Sequence, residues 1–434
     1  MNDRVTIVGA GLAGCEAAWQ LARRGVPVRL IDMKPVKFSP AHKSEGFAEL
    51  VCSNSLKAEQ MSNASGLLKA EMRLLDGLIL SAAERSRVPA GGALAVDRDV
   101  FSRIITDTLK NHPLVEFESK LVDEIPEAPA IIATGPLTDP ALTDAIARLS
   151  GAQTLHFFDA AAPIVTADSL DMDKVFRASR YDRGSDYLNC PMTEAEYNAF
   201  YDALMGAELA ELHDFEKKLV FEGCLAVEIL ASRGRMTLAF GPLKPVGLID
   251  PRTGREPFAV VQLRQENESG TMYNLVGFQT RLKWGEQKRV FSMIPGLEHA
   301  EFVRYGVMHR NTYLNGPALL GANYALKNNP MIRFAGQLSG VEGYMESTCS
   351  GMAAAIGLYC AMNGKPEPDF TGKTIIGALA RHVSTPSANF QPMNANYGVL
   401  EPLNERIRGK KFRYERMSAR AIEAMEEVIK QYEL

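Results

Sequence analysis

The sequence predicts an α/β fold in which a parallel-sheet domain is interrupted by an inserted α+β region. The first observation behind this is an apolar strand, Val5 to Val8, followed by glycines spaced G-x-G-x-x-G and by an alanine-rich helix. The second is an apolar strand near residue 130 that ends in Ala-Thr-Gly. The third is a change in the residue pattern after residue 155, where short predicted strands are separated by Gly and Pro.

The glycine-rich turn after the first strand carries the clearest functional signal. Gly9 makes a tight turn, Gly11 lets the backbone approach a pyrophosphate, and Gly14 lets the helix lie close to the sheet. The next strand, Val28 to Ile31, ends in Asp32, whose carboxylate is placed to accept a hydrogen bond from a ribose hydroxyl. The pattern predicts a dinucleotide with its pyrophosphate at the positive end of the helix. The binding residues that it predicts are Gly9, Ala10, Gly11, Leu12, Ala13, Gly14 and Asp32.

Two later segments favour FAD as the tightly held dinucleotide. Residues 129–135, PAIIATG, have the buried strand and the Ala-Thr-Gly ending of two-dinucleotide-type flavoproteins. The strand from Met331 to Gly336 leads into a Gly-rich turn and a small-residue helix over 350–362. The start of that helix suits a position facing the flavin ring, although close packing on the sheet also accounts for the small residues. We therefore expect a Rossmann-like FAD-binding domain of the two-dinucleotide flavoprotein type.

The remaining elements follow from periodicity and turn residues. Thr193 and Glu196 predict a capping box at the start of a helix that reaches residue 212. Further helices are predicted over 65–87, 99–110 and 418–434. Strands are predicted over 236–240, 258–263 and 273–278, and loops over 182–185 and 189–192. The predicted domains are FAD-binding segments over 1–154 and 329–434, with an inserted substrate domain over 155–328.

Composition excludes several classes of protein. The chain has 434 residues, of which 46% are hydrophobic and 23% charged, as in ordinary globular proteins. Its net charge of −4 is not that of a protein that binds nucleic acid over its whole surface. No stretch approaches the roughly 20 apolar residues of a membrane span, so we expect no membrane contact. The six cysteines lack C-x-x-C spacing, which argues against zinc and disulfides and favours a cytoplasmic location.

Two cysteines stand in unusual surroundings. Cys52 lies in the polar run Cys-Ser-Asn-Ser, and Cys224 follows Phe-Glu-Gly at the start of an apolar run. A thiol reacts as its thiolate, which a helix start or a nearby cation favours. Each is a candidate nucleophile, although cysteine is also among the most buried residue types. The residues expected in the core are Cys15, Cys349 and Cys360, while the pattern leaves Cys190 unassigned.

Two basic segments contain interleaved aromatic residues. Residues 250–333 carry eleven Lys and Arg against seven Asp and Glu, a local net charge of +4, with Trp284 and Tyr305 among the aromatics. Residues 409–416, GKKFRYER, form the second segment. Such segments neutralise phosphates and stack bases in nucleic-acid-binding proteins, and they also occur as ordinary solvated faces.

Together these motifs resemble one family, the folate-dependent, flavin-containing tRNA (uracil-5-)-methyltransferases known as TrmFO. The resemblance runs nearly from end to end. Two positions depart from it: Asp32, where many members carry Glu, and Cys349, where a small residue is expected. Either carboxylate at position 32 can bind a ribose. The stretches that carry the resemblance are 9–14 (GAGLAG), 47–55 (FAELVCSNS), 88–97 (VPAGGALAVD), 133–136 (ATGP), 221–224 (FEGC), 261–265 (VQLRQ), 277–280 (GFQT), 282–285 (LKWG), 304–310 (RYGVMHR), 340–344 (GVEGY) and 391–396 (QPMNAN).

The resemblance implies methylation at C5 of uridine 54 in the TΨC arm of tRNA. It implies 5,10-methylenetetrahydrofolate as the source of the one-carbon unit, and NAD(P)H as the source of electrons through FAD. It assigns attack on C6 of uracil to Cys224, and gives Cys52 a partner role near the flavin, proton abstraction, with the two roles exchangeable. No obligate protein partner is expected. The family pattern extends the cofactor-binding residues to Gly135, Gly336, Gln337, Glu342 and Tyr344.

Other functions remain open at the level of sequence. Relatives of this family methylate uridine in ribosomal RNA, and a cousin flavoprotein modifies the wobble uridine of tRNA together with a GTPase. A small-molecule FAD dehydrogenase or disulfide reductase is a further class, but the reductases need a C-x-x-C-type pair that the chain lacks. A non-catalytic RNA-binding flavoprotein would need no cysteine nucleophile.

Overall fold

Two sheets organise the chain in the computed structural model, which describes residues 4–150, 155–160, 162–182, 184–210, 225–306, 308–387 and 390–434. None of the helices in these ranges has the length and apolar character of a membrane-spanning segment. The strands are β1 Val5–Val8, β2 Val28–Asp32, β3 Ser55–Ala58, β4 Arg87–Val88, β5 Ala93–Val96, β6 Val115–Ser119, β7 Ala130–Ile132, β8 Leu155–Ala160, β9 Ile164–Thr166, β10 Phe176–Arg177, β11 Tyr187–Met192, β12 Ala259–Gln265, β13 Met272–Leu275, β14 Phe302–Arg304, β15 Met308–Tyr313, β16 Ala325–Leu326 and β17 Asn329–Phe334. The helices are α1 Leu12–Ala22, α2 Ala64–Arg73, α3 Leu78–Arg85, α4 Arg98–Lys110, α5 Pro140–Ser150, α6 Glu194–Met205, α7 Val227–Ser232, α8 Thr237–Phe240, α9 Trp284–Phe291, α10 Gly316–Leu319, α11 Tyr344–Met362, α12 Ile375–Ser384 and α13 Lys410–Tyr432.

The first sheet is largely parallel and has the strand order β16-β17-β7-β1-β2-β6. Strand β1 pairs in parallel with β2 on one side and with β7 on the other. Strand β17 returns from late in the chain and pairs in parallel with β7, while β16 runs antiparallel beside it. Apolar side chains from α1 to α4, α11 and α12 form one core with this sheet, and those of α5 belong to a second cluster with β7 and β17. The prediction of an α/β fold with a parallel sheet is confirmed.

The second sheet is antiparallel, with the order β10-β11-β12-β13-β9-β14, and has its own apolar core. Helices α6 to α9 contribute to that core. The strands that flank this region, β8 and β15, pair with each other in antiparallel register. All strands of the second sheet fall between residues 164 and 304, whereas β16 at 325–326 already belongs to the first sheet. The domain boundaries at 154/155 and 328/329 stay predictions.

The prediction of one helix over 65–87 is wrong, because the segment forms two helices, α2 and α3. Asp76 has a φ of 51°, in the left-handed region that breaks a helix. Side chains of α1 and of its C-cap residue hold this break: Trp19 Nε1 donates to the carbonyl of Asp76 at 2.9 Å, and Arg23 Nη1 donates to that of Leu75 at 2.9 Å. The tertiary contact therefore fixes a kink that apolar periodicity does not reveal.

Two predictions in the central region are also wrong. Residues 189–192 are part of strand β11 rather than a loop, because they pair along β12 and bury Cys190 and Met192 in the core. Residues 236–240 contain the short helix α8 rather than a strand, with Leu238 and Ala239 buried. The capping box of Thr193 and Glu196 is present, but the helix that it starts ends at Met205 instead of residue 212.

Two further helices are longer than predicted. Helix α11 begins at Tyr344 rather than at residue 350, and α13 begins at Lys410 rather than at residue 418. The basic segment 409–416 is therefore mostly helical. Glycines precede both starts: Gly343 has a φ of 117° and Gly409 a φ of 87°, which suit glycine and set the entry of each helix.

A buried carboxylate joins α2 to the start of α12. Glu71 is fully buried, and its two oxygens accept hydrogen bonds from the backbone N–H groups of Ile375 at 2.8 Å and Ile376 at 3.0 Å. Thr374 caps the same helix by accepting from the N–H of Gly377. Burial raises the pKa of Glu71 to about 8, although the two N–H groups act in the opposite direction.

This raised pKa predicts that stability falls with pH. The folded state keeps the proton of Glu71 above the unfolded pKa of roughly 4.3, so the free energy of unfolding should decrease between about pH 4.3 and about pH 8. Glu71→Gln lacks this titration and should lose that part of the pH dependence, apart from a constant offset for the changed hydrogen bond. Thermal unfolding midpoints across this pH range measure the effect, and parallel curves for the two proteins would contradict it.

Candidate active site

A cleft opens beside the turn that follows β1. Its walls come from the turn after β1, the end of β2, the segment after β7 and the N-terminal end of α11. Among the residues predicted to bind a cofactor, Gly14 and Glu342 do not line the cleft. Those that do are Gly9, Ala10, Gly11, Leu12, Ala13, Asp32, Gly135, Gly336, Gln337 and Tyr344. The topology brings residues from three distant parts of the chain into one cleft, as in other small-molecule sites.

The three glycines of the first turn differ in what surrounds them. A Cβ atom on Gly9 would lie 2.4 Å from the carbonyl oxygen of Ala133, and one on Gly14 would lie 1.8 Å from that of Gly9. Gly9 also has a φ of 105°. By contrast, a Cβ atom on Gly11 would have no other atom within 4 Å. Packing of the fold therefore requires Gly9 and Gly14, while Gly11 keeps open the space in the cleft.

The start of α1 has the features of an anion site. Gly11 is its N-cap, no side chain caps this end, and its first turn contains no acidic residue. Asp32 lies beside it and accepts hydrogen bonds from the N–H groups of Ala10 at 2.6 Å and Lys34 at 2.9 Å. Uncapped helical N–H groups suit a pyrophosphate, and the remaining lone pairs of the carboxylate suit ribose hydroxyls. The residues present thus fit a dinucleotide.

Gln337 and Glu342 act as a pair in the segment between β17 and α11. Gln337 Nε2 donates to Glu342, and the backbone N–H of Glu342 donates to the carbonyl of Met393 at 2.8 Å. Gly336, with a φ of 75°, donates its N–H to Ser350 Oγ at 2.7 Å. Glu342 therefore orients Gln337, which faces the cleft, without lining the cleft itself.

Cys52 lies directly behind this cleft, in the loop before β3. Its backbone N–H donates to the hydroxyl of Tyr344 at 2.7 Å, and the N–H of Ser53 donates to the same oxygen at 3.3 Å. The neighbouring Val51 and the ring of Tyr344 both line the cleft. Burial raises the pKa of the Tyr344 hydroxyl well above its usual range, and Cys52 adds to this effect. Tyr344 therefore stays neutral and holds the cysteine loop against the cleft.

Three arginines hold the same loop from outside. Arg98 donates from Nη2 to the carbonyl of Cys52 at 3.2 Å and pairs through Nε with Glu266 at 2.7 Å. Arg304 donates to the carbonyl of Val51. The third, Arg264, donates to Ser53 Oγ at 2.6 Å and to Asn54 Oδ1 at 2.9 Å.

Burial of these three arginines disfavours their charged forms. Burial lowers the pKa of both Arg264 and Arg304, and Arg98 lowers that of Arg304 further. Burial also lowers the pKa of Arg98, but Glu266 outweighs it and raises the value above the usual range. Guanidinium groups clustered in this way favour an anionic group beside them, such as a thiolate.

Sequence reasoning missed Arg98, Arg264 and Arg304 as parts of the site. Arg264 and Arg304 belong to the second sheet, and only the fold brings them to a loop near residue 52. Their presence inside the resemblance motifs 261–265 and 304–310 was the available signal. Cys224 lies outside the described residues, as does the rest of its motif. The structure places Cys15, Cys190, Cys349 and Cys360 in buried positions.

The fold and the cleft define an α/β protein of the dinucleotide-binding flavoprotein class with an inserted antiparallel sheet. The family model described as Glucose inhibited division protein A matches residues 4–366. Among solved structures, Aquifex aeolicus GidA in its form I crystal superimposes with a TM-score of 0.70 at 15% identity, covering 98% of this chain and 76% of that one. At that identity the likeness shows the fold alone.

Curated relatives match the chain over its whole length. "Methylenetetrahydrofolate--tRNA-(uracil-5-)-methyltransferase TrmFO" of Acetivibrio thermocellus is 57% identical, with 100% of both chains covered. The protein of the same name from Heliobacterium modesticaldum is 58% identical over 97% of each chain, and that of Listeria monocytogenes is 57% identical over 99%. The chain therefore belongs to the Glucose inhibited division protein A family and, within it, to the TrmFO group.

Gly11→Val should fold normally but purify with little flavin. The valine side chain has room in the protein, whereas it would occupy the space that a pyrophosphate needs. Visible flavin absorbance per mole of protein measures the loss, and circular dichroism checks the fold. Gly14→Ala is the contrasting control, because its Cβ would meet the Gly9 carbonyl and should disturb folding itself. Full flavin occupancy in Gly11→Val would contradict this assignment.

Tyr344→Phe should loosen the cysteine loop. Removing the hydroxyl leaves the N–H groups of Cys52 and Ser53 without their acceptor, which should cost about 1–3 kcal/mol of stability. Tyr324→Phe is the matched control, because its buried hydroxyl has no hydrogen-bond partner among the described residues. Urea unfolding of both variants and hydrogen exchange at residues 50–55 provide the measurement. Equal stability and equal exchange in the two variants would overturn the role given to Tyr344.

Proposed function

We propose that this chain methylates C5 of uridine 54 in the TΨC arm of tRNA, with 5,10-methylenetetrahydrofolate as the one-carbon donor and NAD(P)H as the source of electrons. The end-to-end identity of 57% to proteins named for this activity supports the reaction class. One structural observation carries the proposal further: the N–H of Cys52 binds the hydroxyl of Tyr344, whose ring lines the dinucleotide cleft. A candidate cysteine and the cofactor site therefore share a wall.

The cleft residues account for cofactor binding. The N-terminus of α1 and Gly11 would hold the pyrophosphate of FAD and Asp32 its ribose, while Gln337 and Tyr344 line the same cleft. The chemistry that bound FAD would supply is the transfer of an electron pair from NAD(P)H to the one-carbon unit of the folate.

The chain's own chemistry lies in the two cysteines. Cys224 supplies a thiolate that bonds to C6 of uracil, and the electron pair of the C5–C6 double bond moves toward the C4 carbonyl, which makes C5 nucleophilic. Once C5 carries the new carbon, Cys52 accepts the C5 proton. The double bond then re-forms and the C6–S bond breaks, which returns the thiolate of Cys224. The guanidinium groups of Arg98 and Arg304 beside the Cys52 loop stabilise its anionic form.

The macromolecular partner under this proposal is tRNA, in the cytoplasm, without an obligate protein partner. Uridine 54 has to leave its stack to reach a thiol in the cleft, as in other enzymes that act on a base. Methylated positions mapped after reaction with total RNA separate this proposal from methylation of ribosomal RNA. Modification that required an added GTPase would indicate the wobble-uridine reaction instead.

Cys224→Ala should retain its yellow FAD and lose methylation by at least about a thousandfold, because no group then activates C5. The assay incubates the pure protein with a tRNA transcript, methylenetetrahydrofolate and NAD(P)H, followed by nucleoside analysis for 5-methyluridine. Cys349→Ala, a substitution in the core of α11, is the control and should stay active.

A tRNA carrying 5-fluorouridine distinguishes the two cysteines. Fluorine replaces the C5 proton and cannot leave as a cation, so the elimination that releases the attacking cysteine stops and the cysteine remains bound to the RNA. We expect a covalent complex with the wild type and with Cys52→Ala, and none with Cys224→Ala. If Cys52→Ala alone failed to form the complex, the attack on C6 would belong to Cys52 and proton removal to Cys224. Methylation by Cys224→Ala would refute the mechanism.

A further inference from the structure

Three aromatic rings form a column on the surface of the inserted region. The rings of Phe302 and Tyr305 stack with centroids 5.3 Å apart and planes inclined by 13°, and those of Tyr305 and Trp284 stack at 5.7 Å with the same inclination. Phe302 packs on the core of the second sheet, while Trp284 is 62% exposed. The column thus rises from the core and ends in an indole ring in solvent. A tryptophan that served only to cover apolar surface would lie with its faces buried.

A buried side chain fixes the geometry of the column. Gln287 of α9 is fully buried, and its Nε2 donates to the carbonyls of Leu282 at 2.7 Å and Gly306 at 2.8 Å. Its Oε1 accepts from the N–H of Gly306 at 2.8 Å. These bonds tie the helix that carries Trp284 to the backbone next to Tyr305. The exposed indole is therefore presented in a set orientation, which lowers the entropy cost of binding a flat ligand.

Positive charge flanks the column. Lys288 lies four residues after Trp284 on the same face of α9 and is exposed, and its side chain makes no ion pair or hydrogen bond among the described residues. Arg304 directly precedes Tyr305 in the sequence, and residues 250–333 carry a net charge of +4. An open aromatic face beside an exposed lysine is the surface chemistry that binds single-stranded nucleic acid. A protein partner would instead favour a wider apolar patch with few lysines.

The column also stands beside the candidate active site. Arg304 donates to the carbonyl of Val51, which lines the cleft and precedes Cys52. One residue therefore joins the loop of the candidate cysteine to the base of the column. A nucleotide held on the column would belong to the same strand as a nucleotide entering the cleft.

We propose that Trp284, backed by Tyr305 and Phe302, is a stacking platform for an unpaired base of the RNA substrate, and that Lys288 binds a neighbouring phosphate. The identity of that RNA rests on the proposed function, whereas the stacking itself does not. The platform would hold a base next to the reacting uridine and keep the unstacked strand at the mouth of the cleft.

The chain offers a direct optical test, because it has only two tryptophans, Trp19 and Trp284. In a Trp19→Phe background, all tryptophan emission comes from Trp284. We expect titration with an unmodified tRNA transcript to quench this emission, because a base stacks on the exposed indole face. Unchanged emission at RNA concentrations that saturate binding, measured by fluorescence anisotropy of a labelled transcript, would overturn the proposal.

Matched variants test the energetics. Trp284→Ala should weaken tRNA binding at least about fivefold and raise KM more than it lowers kcat, while Trp284→Phe should restore most of the affinity. Lys288→Gln should reduce the slope of log affinity against log salt by about one. Phe240→Ala removes another exposed aromatic ring, 80% accessible and outside the column, and should leave affinity unchanged.

The outcomes separate this proposal from the proposed function. Quenching and weakened binding without any formation of 5-methyluridine would support the platform and refute the methylation. Methylation with equal KM and affinity in Trp284→Ala and the wild type would refute the platform alone. An equal loss of affinity in Trp284→Ala and Phe240→Ala would also refute it, since the effect would not depend on the column.

Discussion

The close approach of α11 to α1 is the constraint on which the site depends. A Cβ atom on Gly351 would lie 2.1 Å from the carbonyl oxygen of Ala13, so only glycine lets the two helices come this near. Gly14 brings α1 equally close to the turn after β1. As a result, the N-terminal ends of both helices reach one cleft, with Gly11 at one wall and Tyr344 at another. Both helices present their positive ends where an anionic cofactor binds.

The second constraint is the network of arginines around the cysteine loop. Arg264 and Arg304 come from the antiparallel sheet, yet their donors end on residues 51–54 of the first domain. Burying such charges costs free energy, which Glu266 and the carbonyls of the loop partly offset. Breaking one member would leave other buried groups without partners, so the inserted region and the cofactor domain are coupled at this point. That coupling fixes strands β12 and β14 of the antiparallel sheet relative to the loop of the candidate cysteine.

Local sequence patterns were reliable where local physics decides the structure, and failed where distant contacts decide it. The strands β1 and β2, the glycine turn and the capping box of α6 follow from short-range spacing and were predicted. The break at Asp76 was not predicted, because side chains of α1 and of its C-cap residue impose it. Strand β11 contains a proline and looks like a loop until β12 pairs along it. In each case tertiary contacts overrode the local preference.

The sequence by itself determined the cofactor class, the family and the candidate cysteines, because glycine spacing and terminal acids follow directly from the covalent chain. Only the tertiary structure decided that Tyr344 holds the Cys52 loop and that three arginines contact this loop. It also decided that Trp284 forms the exposed end of an aromatic column. These relations join residues far apart in the chain. The apolar periodicity of the sequence does not predict these contacts, because they depend on how two sheets with separate cores pack together.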